Sequence, residues 1–154
     1  YRAVAKLNPD LTIIPKLIAE NEEIKTTLVH GDFSPKNIMI TEDFHPIVLD
    51  FEVEHTGNPV FDVAFLTAHL VCKFVKSGNQ DIAGTAHNFI VSYQEHSTIP
   101  LANSVAHHIG LLALARVEGV SPVNYLSSVE QEKLKELTKK ILRNDSAQIR
   151  DFFN

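Results

Sequence analysis

The spacing of apolar residues changes along the chain, and it predicts short strands early and helices later. Over residues 26–51, short apolar runs alternate with polar turns, which is typical of strands and hairpins. We expect a strand at 26–29 and a hairpin in which 36–40 pairs with 46–51. Everything after this hairpin is predicted to be helical.

From residue 61 onward, apolar residues recur at the period of an amphipathic helix. We expect helices at 61–76, 81–96, 101–117, 128–142 and 146–153. The third of them is apolar nearly all round, so it is predicted to be the buried central helix. Gly78 and Gly119 are expected to end the first and third helices.

Before the first strand, the spacing of apolar residues also indicates helix, but it is less regular. Residues 1–7 are interpreted as a helical tail or linker, and Asn8 is expected to cap a helix that continues to Ile18. Pro15 weakens the middle of that helix because it lacks an N–H donor. With few, adjacent strands and a block of helices, the predicted fold class is α+β, mostly helical, as a single domain over 1–154.

Composition and charge exclude several classes of protein. The 154 residues suffice for one domain with a core, and the net charge of −5 argues against a nucleic-acid partner. No apolar run is long enough to cross a bilayer, so no membrane association is expected. The single cysteine, Cys72, excludes an internal disulfide, fits a reducing compartment such as the cytoplasm, and is interpreted as a small helix residue. His107 and His108 are adjacent on a helix, so they are interpreted as structural or surface groups rather than zinc ligands.

The candidate chemistry lies at the ends of the predicted strands. His-Gly-Asp at 30–32 follows the first strand, Asn37 opens the hairpin, and Asp-Phe-Glu at 50–52 ends it. Asp32 and Asn37 are five positions apart, as are the Asp and Asn of the protein-kinase catalytic loop. Loops between strands carry function more often than packing, so these acids and this amide are candidate site residues.

The compound pattern H-G-D-x-x-x-x-N, with D-F-E at 50–52 and G-N-P-V-F-D at 57–62, resembles the aminoglycoside phosphotransferase and choline kinase family of small-molecule kinases. The resemblance is firm from residue 26 to about residue 70 and looser over 115–122. It implies the C-terminal, catalytic lobe of the protein-kinase-like fold, with the β-hairpin carrying the site. It also implies ATP-dependent transfer of a phosphoryl group to a hydroxyl of a small-molecule substrate, with Mg²⁺ as cofactor.

The resemblance gives the central roles to four residues. Asp32 is the expected catalytic residue, which positions the substrate hydroxyl first and acts as a base second. Asn37 and Asp50 are expected to bind the nucleotide through Mg²⁺, and Glu52 adds a metal ligand directly or through water. Glu52 stands where protein kinases have glycine, but small-molecule members of the family commonly have an acid there.

Five further residues are expected to support the site. The resemblance places His30 beneath the loop, bonded to backbone, and Asp62 at the start of the next helix, bonded to the loop. Gly31 allows backbone geometry that a Cβ would resist. Ser34 and Lys36 are candidates for contact with phosphate.

Plainer interpretations of these supporting residues stay open. Ser34 could stabilise only the turn, and Lys36 could be a solvated surface lysine. Asp62 could do no more than compensate charge at the start of a helix. The roles of Glu54 and His55 stay open as well.

The nucleotide-binding elements of the family are not found in residues 1–29, which contain no glycine and no lysine in strand context. We therefore expect a catalytic-lobe fragment, inactive alone, whose hairpin surface is covered by an N-terminal lobe or a second chain. The alternative is a non-catalytic helical binding module that retains an acidic site for a metal or ligand. A metal-dependent phosphohydrolase ranks last because no second cluster of His and Asp is found. The acids fit an amine or polyol substrate, but acids bound to Mg²⁺ require no cationic substrate.

Overall fold

The computed structural model describes residues 1–154 and contains six α-helices and four short β-strands. The helices are α1 (Arg2–Leu7), α2 (Ile13–Glu23), α3 (Val60–Ser77), α4 (Gln80–His96), α5 (Val105–Glu118) and α6 (Ser128–Leu142). The strands are β1 (Thr27–Val29), β2 (Ile38–Ile40), β3 (Pro46–Val48) and β4 (His55–Gly57). The predicted α+β, mostly helical fold class is confirmed, and none of the helices is both long and apolar enough to span a membrane.

The strands form two separate antiparallel pairs. The predicted hairpin is present as β2 and β3, with Ile38 opposite Val48, although both strands are shorter than expected. The other pair joins β1 to β4, with Val29 opposite His55. The expectation that only helices follow the hairpin is therefore wrong. Strand β4 is short and has no apolar alternation, so its backbone pairing with β1 defines it rather than any pattern in its sequence.

The core lies among α3, α5 and α6, with α4 packed against α3. Helix α5 is buried along almost its whole length, and Ile109, Leu111 and Leu114 are fully buried. The predicted central helix is confirmed, although it begins at Val105 because residues 103–104 form a turn. Cys72 is buried within α3, as expected of a small helix residue.

The N-terminal helices divide differently from the prediction. Asn8 ends α1 instead of starting α2, because its amide donates hydrogen bonds to the carbonyl of Val4 (3.0 Å) and to Glu118 (2.7 Å). Helix α2 begins at Ile13, which puts Pro15 in the first turn. The N–H groups of a first turn have no partner within the helix, so Pro15 does not weaken it.

The C-terminal part follows the prediction except at its end. Helix α6 has the predicted bounds and starts with a capping box between Ser127 and Glu130. The helix expected at 146–153 is only a 3₁₀ turn, Ile149–Phe152, which buries Phe152 against the core. His107 and His108 are both buried and bond to different partners, which confirms a structural interpretation.

Candidate active site

The loop after β1 needs glycine at its second position. Gly31 has φ of +82°, in the left-handed region that favours glycine. A Cβ at this position would lie 2.8 Å from the carbonyl oxygen of Val53, closer than real contacts allow. Gly31 thus lets the loop that carries Asp32 pass directly beside the segment that follows Asp50.

Asp62 fixes the same loop to the helical core. Its carboxylate lies in the first turn of α3 and accepts hydrogen bonds from the N–H groups of His30 (2.7 Å) and Gly31 (3.0 Å). Burial raises the pKa of Asp62, while these two N–H donors favour its ionised form and act in the opposite direction. The side chain therefore does more than compensate the charge of a helix start: it bonds two successive loop amides at once.

His30 connects the loop to the strand end that precedes Asp50. Its Nδ1 accepts a hydrogen bond from the N–H of Asp32 (3.2 Å), and its Nε2 lies 2.8 Å from the carbonyl oxygen of Leu49. Since Nδ1 is the acceptor, the ring proton belongs on Nε2, which donates to Leu49. The ring is buried and packs against Phe51 at a centroid distance of 4.9 Å.

Asp32 is held from two sides by side chains of its own loop. Asn37 donates through Nδ2 to the backbone oxygen (2.9 Å) and to Oδ2 (3.1 Å) of Asp32. Lys36 places its Nζ 2.8 Å from the same Oδ2. The hydrogen bond to Asp32 raises the pKa of Lys36, and the charges of Asp50 and Glu52 act in the same direction. Both contacts use Oδ2, so Oδ1 of Asp32 stays available as an acceptor.

Asp50 is exposed and has φ of +65°, an uncommon value for a residue with a side chain. The residue before it is anchored twice: Leu49 donates its N–H to the carbonyl of Asn37 (2.9 Å) and accepts from His30. Strained backbone at an exposed acid is common at functional sites. These contacts join the end of the hairpin to Asn37, the residue immediately before β2.

Asn37, Asp50 and Glu52 offer the donor set of a hard cation. The amide oxygen of Asn37 is free because its Nδ2 makes the bonds to Asp32, and the two carboxylates are exposed. Oxygen ligands of this kind suit Mg²⁺, which takes few protein ligands besides phosphates and water. No group of three or more His, Cys, Asp or Glu residues is placed to hold a metal ion by itself. The residues present thus fit a Mg²⁺ ion that phosphate oxygens help to hold.

The other predicted residues lie at the edges of this arrangement. The hydroxyl of Ser34 is buried without a hydrogen-bond partner. Glu54 is exposed and lines a mainly apolar cavity of about 430 Å³ beside His30. His55 lies on β4 and bonds the carbonyl of Val53 (3.0 Å).

Sequence reasoning missed His69, a half-buried histidine on α3 whose Nε2 has no hydrogen-bond partner within the protein. Burial lowers its pKa to about 4, the charge of Arg116 on α5 acts in the same direction, and the charge of Asp32 acts in the opposite direction. The two residues are on different helices, and neither stands in a recognisable motif, so no pattern in the sequence joins them.

A comparison with known protein families assigns the chain to one of them. Residues 3–90, more than half of its length, match the model of the phosphotransferase enzyme family, APH. The matched stretch contains the loop at 30–37, the hairpin and Asp62. A comparison with curated proteins gives no match. By its family match and by the pattern of residues at this site, the chain belongs to the phosphotransferase enzyme family.

Proposed function

We propose that this chain is the catalytic, C-terminal lobe of a kinase that transfers the γ-phosphoryl group of ATP to a hydroxyl of a small molecule. One observation carries the proposal. The side-chain amide of Asn37 donates to Asp32, and the backbone carbonyl of Asn37 accepts from the N–H of Leu49, the residue before Asp50. A carboxylate suited to a substrate hydroxyl therefore lies beside oxygens suited to a metal ion.

Asp32 is the proposed catalytic residue. Its free Oδ1 accepts the hydrogen bond of the acceptor hydroxyl, orients the oxygen in line for attack, and takes up the proton. Lys36 and Asn37 hold Oδ2, which fixes the rotation of the carboxylate. Through Asp62 and His30, the helical core fixes the backbone on which Asp32 stands.

Asn37 and Asp50 are the proposed metal ligands, and Glu52 adds a carboxylate directly or through water. When bound, Mg²⁺ and ATP would supply the electrophilic γ-phosphorus and ADP as the leaving group, with the metal neutralising charge on the phosphates. Lys36 adds positive charge beside Asp32. The backbone of Ser34 stabilises the turn, because its N–H donates to the carbonyl of Asp32 and its carbonyl accepts from the N–H of Asn37.

We also propose that a separate phosphate-covering lobe, N-terminal to this region or on a second chain, packs on the strand layer. Several large apolar residues are exposed there, among them Leu28 (66%), Ile40 (57%) and Phe51 (49%). Large apolar side chains exposed on both strand pairs are typical of an interface. Residues 1–29 form α1, α2 and β1 and place no hairpin over Asn37 and Asp50. We therefore expect residues 1–154 alone to lack turnover.

The proposal is tested by comparing Asp32→Ala with Asp43→Ala in an assembly that includes the covering lobe. Asp43 is an exposed acid in the hairpin turn, so its loss serves as a matched control. Asp32→Ala should lower turnover by roughly a thousandfold while nucleotide binding, measured by calorimetry, changes little. Turnover near that of the unmutated protein would remove Asp32 from this role and favour a binding module without catalysis.

A further inference from the structure

Lys36 is the only lysine or arginine that forms an ion pair with an acid of the candidate site. Its Nζ lies 2.8 Å from Oδ2 of Asp32, and no other ion pair in the protein involves Asp32, Asp50 or Glu52. The amide Nδ2 of Asn37 donates to the same oxygen over 3.1 Å. The ammonium of Lys36 and the amide of Asn37 therefore meet at one atom, and the charge of Lys36 lies beside a proposed metal ligand.

The charges of the candidate site do not balance. Its acids Asp32, Asp50 and Glu52 provide three carboxylates, whereas Lys36 provides one positive charge. The hydrogen bond to Asp32 raises the pKa of Lys36, and the charges of Asp50 and Glu52 act in the same direction, so the ammonium group is charged at neutral pH. A divalent cation held by Asn37 and Asp50 would be repelled by this neighbouring positive charge.

The ion pair between Lys36 and Asp32 contributes little to the stability of the fold. The side chain of Lys36 is 68% exposed, and an ion pair this exposed is largely screened by water. The backbone of the loop is held instead by the partly buried hydrogen bonds of Asp62, His30 and Asn37. Lys36 therefore acts on the site mainly through its charge.

We propose that Lys36 makes metal binding at this site depend on phosphate. The proposal rests on the function proposed above and adds how the same site is regulated. Lys36 repels a bare divalent cation and so weakens its binding to Asn37 and Asp50. A triphosphate reverses this effect, because Lys36 attracts the phosphate oxygens that complete the coordination of the metal ion. The site therefore favours a metal ion that arrives with a nucleotide over a metal ion alone.

The test is a pair of binding measurements on residues 1–154, one with Mn²⁺ alone and one with Mn²⁺ complexed to inorganic tripolyphosphate. The paramagnetic resonance signal of free Mn²⁺ reports the first affinity, and calorimetry reports the second. We expect Lys36→Gln to bind Mn²⁺ alone about fivefold more tightly than the unmutated chain, and the complex about fivefold more weakly. Weaker binding of both would mean that Lys36 only maintains the loop, and it would overturn the proposal.

Matched variants separate a local charge effect from a general one. Lys133→Gln removes the same charge from an exposed lysine on α6 that forms no ion pair, and it should leave both affinities unchanged. Lys36→Arg keeps the charge at its position and should keep both affinities close to those of the unmutated chain. Equal shifts in Lys36→Gln and Lys133→Gln would show an effect of net charge and refute the proposal.

Further outcomes separate this inference from the proposed function. Opposite shifts in Lys36→Gln, with no phosphoryl transfer in the complete assembly, would support the phosphate-dependent metal site and refute the kinase. Transfer in the complete assembly, with the affinity for Mn²⁺ alone unchanged in Lys36→Gln, would refute the role of Lys36 and leave the kinase intact. No binding of Mn²⁺ in any variant would refute both this inference and the proposed metal ligands.

Discussion

Helix α5 and the hairpin of β2 and β3 contain the same kinds of apolar residue and bury them to opposite extents. Ile109 in α5 is 0% exposed, while Ile40 in β2 is 57% exposed. The helix is stabilised by its own burial among α3 and α6. The hairpin obtains little from burial, so its position depends on a few hydrogen bonds and on whatever covers it.

Those hydrogen bonds all pass through the candidate site. Asp62 bonds the loop to α3, His30 bonds the loop to Leu49, and Leu49 bonds Asn37. The site therefore lies where a rigid helical core meets a weakly packed strand layer. Segments with few buried apolar contacts open at lower free energy than the core, which suits a surface that must admit substrate and nucleotide.

The largest effect should come from truncating the buried isoleucine. We expect Ile109→Ala to lower the free energy of unfolding by about 2–5 kcal/mol, because it removes apolar contacts and leaves a cavity. Ile40→Ala should change it by no more than about 0.5 kcal/mol, since the side chain is mostly in water. Urea denaturation followed by circular dichroism measures both. Equal losses would mean that the hairpin is as well packed as the helix.

A smaller loss is expected when the link between the two regions is weakened. Asp62→Asn replaces one acceptor oxygen with an amide donor, so one loop N–H loses its bond, at a cost of about 1–3 kcal/mol. Amide exchange at residues 30 and 31 should accelerate by about tenfold while exchange in α5 stays slow. Asp81→Asn, which alters an exposed acid in the first turn of α4, is the matched control. Identical exchange in both variants would contradict the role of Asp62 as the link.

The smallest effect concerns how the free energy of unfolding depends on pH through His69. His69 has an ordinary pKa of 6.5, and its environment lowers this pKa to about 4. The unfolded chain then binds the proton first as pH falls. The stability that His69 contributes is therefore fully present above pH 6.5 and is lost as pH falls from 6.5 to 4. The loss should be on the order of 1 kcal/mol, since part of the ring is in water.

Unfolding measured across this pH range should be less acid-sensitive in His69→Gln than in the unmutated chain. His45→Gln, which alters an exposed histidine in the hairpin turn, should keep the original pH dependence. The same flattening in both variants would show that His69 is not the group responsible.

The helices after the hairpin can be predicted from the sequence because the apolar period that indicates a helix is set by neighbouring residues. The apolar period, with Gly78 as the expected end of the first helix, places α3 and α4 within one residue of their bounds and α6 at its observed bounds. The second helix is misplaced because Asn8 and Pro9 are typical of a helix start. In the folded chain, the side-chain amide of Asn8 donates hydrogen bonds to the carbonyl of Val4 and to the carboxylate of Glu118. Glu118 lies far along the sequence, so no local pattern indicates this contact.

The strand layer and the surroundings of the site depend on contacts between distant residues. Strand β4 exists because residues 55–57 pair with β1, and nothing in their own sequence requires it. The motif at 30–37 makes Asp32 and Asn37 candidates from sequence alone, and the resemblance implies a partner in Asp62. The meeting of His69 with Arg116 follows only from the packing of α3 on α5.

The central claim is that Asn37, Asp50 and Glu52 form an oxygen site for a divalent metal beside Asp32. Mn²⁺ added at low ratio to isotopically labelled residues 1–154 tests it directly, because the ion broadens the amide signals nearest to it. We predict weak binding, with broadening centred on residues 37 and 50–52, lost in Asp50→Asn and kept in Asp43→Asn. Broadening centred on the acids of α6 or on the buried histidines, with residues 50–52 unaffected, would contradict the account.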